Sequence, residues 1–351
     1  MKKMTSMLLC ALLLLTLAAC GSKPASPAPA DSGTTAPAES ENPQNELKYP
    51  EKDITIVVPY DAGGGNDILA RILASVAMEK GYFKGANVVV ENQPGGGGAI
   101  GQTYVAQTAP ADGYTLLTFT GSTITNPILK DVTFTVDDFS IIVGCNPDPA
   151  VLVARNDAPY DTLEGFIDYA QANEVLITDS GFGTNSHIRG LGMNTVLTDN
   201  YSKPLKLKAI HTDSSNMQLT QLMGGHADVS IMTAGECADA VSEGSVKALG
   251  VLANERSGSL PGVPTFLEIG YEGIVDGADR CIACSADVPD DIYQYLVEEF
   301  GNLCASEDFT KAMEEANMTP ASKTPDEMNA YISAMTEKVT KLKDYLLAGV
   351  D

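Results

Sequence analysis

Three consecutive glycines, Gly63, Gly64 and Gly65, stand between an apolar run and a periodic helix in the stretch VPYDAGGGNDILARILA, residues 58–74. Glycines there let the backbone approach a bound group closely, and the unpaired N–H groups and positive dipole end of a helix favour an anion at its start. One such run also serves as a bare strand-to-helix connection. A second stretch, GFGTNSH at residues 181–187, repeats the grammar, and the pairing points to a site. Beside the two loops, Tyr60, Asn66, Thr184, Asn185, Ser186 and His187 offer hydrogen-bonding groups without fixed charge. Neither loop contains Lys or Arg. Arg71 and Arg189 lie a turn inside the two helices, where bracing the helix or pairing with an acid is the expected role. The chemistry expected is capture of a small anion by backbone amides and hydroxyls.

Other chemistries fit less well. Cys145, Cys237, Cys281, Cys284 and Cys304 follow the first two cysteines with one C-x-x-C, and His187, His211 and His226 have no ligand spacing, so no metal and no cofactor are expected. Buried free thiols are expected, with a local Cys281–Cys284 disulfide as the alternative in an oxidising setting. Gly96, Gly98 and Gly101 satisfy G-x-G-x-x-G between a strand and a helix, which keeps a dinucleotide-dependent enzyme as a rival reading. The next strand, however, ends in LLTFTGS, without the acid that holds a ribose hydroxyl. Ser186 and His187 are chain neighbours without a nucleophile-elbow motif, so a hydrolytic triad is not indicated and the chain is not expected to be an enzyme. A surface interaction module would explain the tether described below but not the paired loops.

The elements that must position the loops alternate between apolar strands and amphipathic helices, the pattern of α/β layers with largely parallel sheets. The segments DITIVVPY, ANVVVENQ and GYTLLTFT open the first round, FSIIVG and AVLVARN read as two further strands around residues 146–149, and EVLITDS, LKLKAIHT, HADVSIMT and VKALGVLA form a second round. The expected fold is two-lobed α/β, each lobe a mostly parallel sheet flanked by helices with the ligand cleft between. Lobe 1 comprises residues 51–150 and 280–351, and lobe 2 residues 151–279, joined by two chain crossings that act as a hinge. Ahead of them, residues 1–19 carry Lys2, Lys3 and an apolar run, the organisation of an export signal. Leu17-Ala18-Ala19-Cys20 resembles a bacterial lipobox, which makes Cys20 the expected lipidation site, and the Pro-, Ala- and Ser-rich residues 20–50 a solvated tether. Once the signal is removed, 20 basic residues face 46 acidic ones, a balance that argues against nucleic acid and anionic lipid as partners.

In chain order, ITIVVPYDAGGGNDILARILA, VVVENQPGGGGAIGQTYVAQTAPADGYTLL, GFGTNSHIRGL, LTQLMGGHADV and VKALGVLANERSGSLPGVPTFLEIGYE resemble the solute-binding receptors of tripartite tricarboxylate transporters, the Bug receptors, over essentially the whole body. The resemblance implies a hinged, type II periplasmic-binding fold that captures a small mono-, di- or tricarboxylate outside the cytoplasm. Its implied partners are a two-component membrane permease and, through the lipid anchor, the cell membrane, with the receptor itself a monomer. The ligand-binding residues then expected are Tyr60, Ala62, Gly63, Gly64, Gly65, Asn66 and Asp67 from the first loop, with Gly121 and Ser122 after the third strand. Gly183, Thr184, Ser186 and His187 are expected from the second loop, with Thr212, Asp213 and Thr233. The chain departs from the family at His211-Thr212-Asp213-Ser214, where Asp213 either faces a ligand amino group or is a solvated turn residue.

Overall fold

Most of the apolar runs fold into strands buried on both faces, in a computed structural model that describes residues 47–274 and 276–348. The signal segment, Cys20 and the spacer as far as residue 46 lie outside the described residues. Strand β1 (Ile54–Val58) pairs in parallel with β2 (Val88–Asn92) and β3 (Thr115–Phe119). Helix α1 (Gly65–Lys80) connects β1 to β2, and the short α2 (Ala99–Thr103) lies between β2 and β3. Parallel pairing requires such crossovers, and they cover both faces of the sheet. Successive side chains of a strand therefore enter different cores: Ile54, Ile56 and Val58 pack with α1, and Val57 on the opposite face with Leu117 and Phe119.

After α3 (Gly121–Leu129) comes β4 (Phe139–Arg155), one strand of 17 residues where the sequence suggested two. Pro147 and Pro149 do not break it, because register shifts between Ile141 and Val143 and between Gly144 and Asn146 mark bulges in the same ladder, and strand prolines are tolerated near such irregularities. The second round repeats the first. Helix α4 (Leu163–Ala172) leads to β5 (Val175–Asp179), α5 (Asn185–Tyr201), β6 (Leu207–His211), α6 (Ser215–Met223), β7 (Val229–Thr233), α7 (Ala234–Ser242) and β8 (Val246–Leu252). Strand β5 pairs in parallel with β6 and β7, as β1 does with β2 and β3.

The chain returns through β9 (Gly277–Ser285) to α8 (Asp290–Cys304), α9 (Glu307–Glu315) and α10 (Pro325–Ala348). Strands run in the order β2-β1-β3-β9-β4-β7-β5-β6, with β8 also on β4. As far as Pro149, β4 pairs with β9, and from Ala150 it pairs with β7 and β8. The molecule is thus two-lobed, with β4 spanning both sheets and β9 bringing the chain back. All five described cysteines are free and buried. Cys281 and Cys284, three apart on β9, enter opposite cores, which rules out the local disulfide.

Candidate functional site

Five helices begin where strands of the two lobes end against one another, and their first residues enclose a cavity of about 50 Å³. From lobe 1 come Gly64, Gly65 and Asn66 at the start of α1, Thr120 at the N-cap of α3, and Tyr60. From lobe 2 come Thr184, Asn185 and Ser186 of α5, Ser214 and Ser215 of α6, and Thr233 and Glu236 of α7. Ser180, Gln218, Ile231 and two arginines, Arg189 and Arg280, complete the wall. Converging helix starts concentrate unpaired N–H groups and positive dipole ends, which is the electrostatics an anion needs in a molecule whose net charge is −24.

The two glycine loops are closed by one device. Asp67, third residue of α1, reaches back to accept the Gly63 N–H at 2.8 Å, and His187, third residue of α5, accepts the Gly183 N–H through Nδ1 at 3.1 Å. Asp67 also accepts from Arg71 Nε at 2.8 Å and Asn92 Nδ2 at 3.0 Å. Burial pushes the Asp67 carboxyl up, but the Arg71, Gly63 and Asn92 donors outweigh it and hold the group below its ordinary value. Burial, with its neighbours His211 and Lys130, pushes the His187 imidazole down against the pull of Asp179. His211 is raised, chiefly by its hydrogen bond to Asp179 at 2.8 Å.

Asp179, His187 and His211 bring one possible metal-ligand atom each within 4.8 Å of one another. The hydrogen bonds oppose metal binding. A backbone N–H only donates, so the neutral His187 ring carries its proton on Nε2, while Asp179 is occupied by the Gly181 N–H at 2.8 Å and by His211. The trio braces the second loop.

Arg280 and Glu236 form a buried pair at the seam, Nη2 to Oε1 at 2.7 Å. Glu236 also caps α7 by accepting the Thr233 N–H at 3.0 Å and takes the Ser215 hydroxyl at 2.8 Å. Burial raises its carboxyl, but Arg280 and these donors bring it below its ordinary value. Arg280 further donates to Asn146 and to Thr233, and lies 3.6 Å from Asp148, whose carboxyl burial raises in spite of Arg280.

Of the residues singled out from the sequence, Tyr60, Gly64, Gly65, Asn66, Thr184, Asn185, Ser186 and Thr233 line the cavity. The others stand around it. Asp67 and His187 lock the loops through Gly63 and Gly183, and Ser122 holds the Tyr60 hydroxyl and Gln102. Thr212 ties β6 to the Asp179 carbonyl at 2.7 Å, Asp213 is exposed, and Gly121 receives the Asn185 side chain of the other lobe. Ala62 lies outside the wall, its carbonyl 3.5 Å from Asn216 Nδ2. Arg71 pairs with Asp67 and Arg189 with Asp276, the acid pairing expected of both, and Arg189 is in addition buried in the cavity wall. Sequence reasoning did not select Ser214, Ser215, Glu236 or Arg280. The N-cap pattern Thr233-x-x-Glu236 was a local signal for α7, while Arg280 comes from a strand with none.

Residues 69–346 match the model of the tripartite tricarboxylate transporter family receptor. The chain belongs to that family. It is a solute-binding receptor of the extracytoplasmic, periplasmic binding-protein kind. A UPF0065 protein of Bordetella pertussis is 32% identical over 228 residues, 63% of this chain and 67% of the relative. The structure of the periplasmic binding protein BugD superposes with a TM-score of 0.76 at 27% identity, covering 85% of this receptor and 98% of BugD. MatC of Rhodopseudomonas palustris, solved with bound malate, shares the fold at a TM-score of 0.71 and 23% identity, covering 86% of the receptor and all of MatC. Among the described residues, no helix of the receptor is long and apolar enough to cross a membrane.

Proposed function

We propose that this receptor captures a small carboxylate between its lobes and presents it to the two-component membrane permease of a tripartite tricarboxylate transporter. The observation that carries the reading is the convergence of five helix starts on one cavity. Malate bound to MatC supports the ligand class. The lobes, residues 51–150 with 280–351 and residues 151–279, close about β4 and β9. Tyr60, Gly64, Gly65, Asn66, Thr184, Ser186 and Thr233 meet the ligand, and Asp67, Ser122, Gly183, His187 and Thr212 hold its loops in shape. Binding favours the closed form because only there do both lobes reach the ligand. The protein acts as a monomer, anchored through a lipid on Cys20, and makes or breaks no bond.

The cavity is compact. At about 50 Å³ it admits a short acid with less opening than a long one. Titration calorimetry of the purified receptor with acetate, succinate, malate, adipate and citrate tests the reading: binding of at least one, strongest for the short diacids, is expected. A panel in which no acid gives heat would sink it.

A further inference from the structure

We propose that Arg189 is a direct receptor for a carboxylate group of the ligand, an inference that rests on the carboxylate-binding reading above. Arg189 lies on α5 one turn beyond the second glycine loop, is 4% exposed, and lines the cavity. A guanidinium has five N–H donors in a planar fork and keeps its charge at any physiological pH. Among the described residues, this one makes a single hydrogen bond, from Nε to Asp276 Oδ1 at 3.3 Å, and its Nη2 is buried with no partner. A buried charge with unsatisfied donors is costly, and the protein retains it here at the wall of an anion site.

The neighbouring charges relieve it only in part, through the Asp276 carboxylate 3.3 Å from Nε. Asp276 is shared: Lys338 Nζ lies 3.2 Å from Oδ2, and the Gly277 N–H donates to Oδ1 at 2.8 Å. Arg280, the other arginine of the wall, is engaged by Asn146, Thr233 and Glu236, and Glu236 offsets its charge. Arg71 is half exposed and bound to Asp67. Among the described residues, Arg280 keeps only Nε without a partner, whereas Arg189 keeps its terminal Nη2, which leaves that nitrogen to meet a ligand. A carboxylate presents two oxygens to such a fork, and two parallel charge-assisted bonds fix its plane as well as its position. Helix starts attract anions of any shape, whereas the fork selects a planar carboxylate.

The test compares the unchanged receptor with Arg189→Gln, Arg189→Lys and Asp276→Asn, titrating succinate, malate and citrate by calorimetry and checking each fold by far-ultraviolet dichroism. Arg189→Gln is expected to weaken the best-bound acid at least 30-fold, and Arg189→Lys, which keeps charge but not the fork, by about tenfold. Asp276→Asn removes the carboxylate that pairs with Arg189 among the described residues and is expected to tighten binding at least threefold. Affinity within threefold of the unchanged receptor in a folded Arg189→Gln protein overturns the proposal and leaves the carboxylate reading standing. Should Arg189→Gln not fold, Asp276→Asn decides: unchanged or weaker binding makes Arg189 a brace on Asp276 and overturns the proposal. If no acid binds even the unchanged receptor, the carboxylate reading fails and takes this inference with it.

Discussion

Gly121 has no room for a β-carbon, since one built there falls 1.7 Å from Asn185 Oδ1 across the seam. At Gly65 it falls 2.6 Å from both Arg280 Nη2 and Glu236 Oε1, whereas at Gly64 the nearest atom is the Asp61 carbonyl oxygen at 3.8 Å. Glycines that look alike in the sequence thus do different work: Gly65 and Gly121 let the other side of the cleft seat against them, whereas Gly64 starts α1 at the cavity wall with room for a β-carbon. Gly121→Ala and Gly65→Ala are expected to hold the lobes apart and weaken carboxylate binding more than tenfold, with Gly64→Ala within about threefold of the unchanged protein. Small-angle scattering with saturating acid should show the first two variants more extended. Equal affinities across all three would mean that the seam relaxes and that glycine is not needed for closure. The glycine runs themselves were legible because backbone freedom is a property of the residue. Which of them receive a neighbour was not, because Asn185 and Glu236 are distant in sequence and approach only through the fold.

At the scale of elements, the alternation of strand and helix was legible from apolar periodicity, and so was the placement of two loops at helix starts. The length of β4 was not, because its prolines read locally as a break and only pairing with β9 carries the strand through them. Helix α5 shows how an element can inherit pH dependence from its cap. His187 stands where α1 has Asp67, and it accepts the Gly183 N–H only while Nδ1 is unprotonated. Its folded pKa is depressed from 6.5, so the stability it contributes is present above pH 6.5 and is lost as pH falls through the folded value. His211 has the opposite sign: its pKa is raised by Asp179, so its contribution is present below pH 6.5 and is lost as pH rises through the folded value. Lys130, lowered to about 8 chiefly by burial, and Asp179 are the other charges facing this pair. Binding is expected to fall as pH drops below 6.5 through the lowered His187 value, with the His187 ring titrating below and the His211 ring above the ordinary histidine value. Three histidines can be assigned by single replacement in proton NMR spectra. His187→Asn should remove the acid limb of the affinity profile, and an acid limb unchanged in that variant would move the effect elsewhere.

At the scale of the whole molecule, the charge balance bears on how the receptor stays near its permease. With residues 1–19 removed, 20 basic residues stand against 46 acidic ones, and the body from residue 51 onward carries 18 against 42. Anionic lipid repels such a surface, and only basic segments gain about 1 kcal/mol per residue at a membrane. Under the anchoring proposed above, attachment comes instead from hydrophobic insertion of a lipid on Cys20. Acyl chains contribute about 0.8 kcal/mol per buried CH₂, so one chain holds weakly and two hold stably. The spacer to residue 50 is rich in Pro, Ala and Ser and has too few large apolar side chains to add an anchor of its own. Cys20→Ser is therefore expected to move nearly all of the protein out of the membrane fraction, without the gradual salt dependence that electrostatic attachment would show. Carboxylate affinity of the released protein should match that of the unchanged receptor, because the cleft is built entirely from residues 60–280. Protein that remains with the membranes after a carbonate wash would show that the apolar run before Cys20 stays attached and serves as the anchor itself.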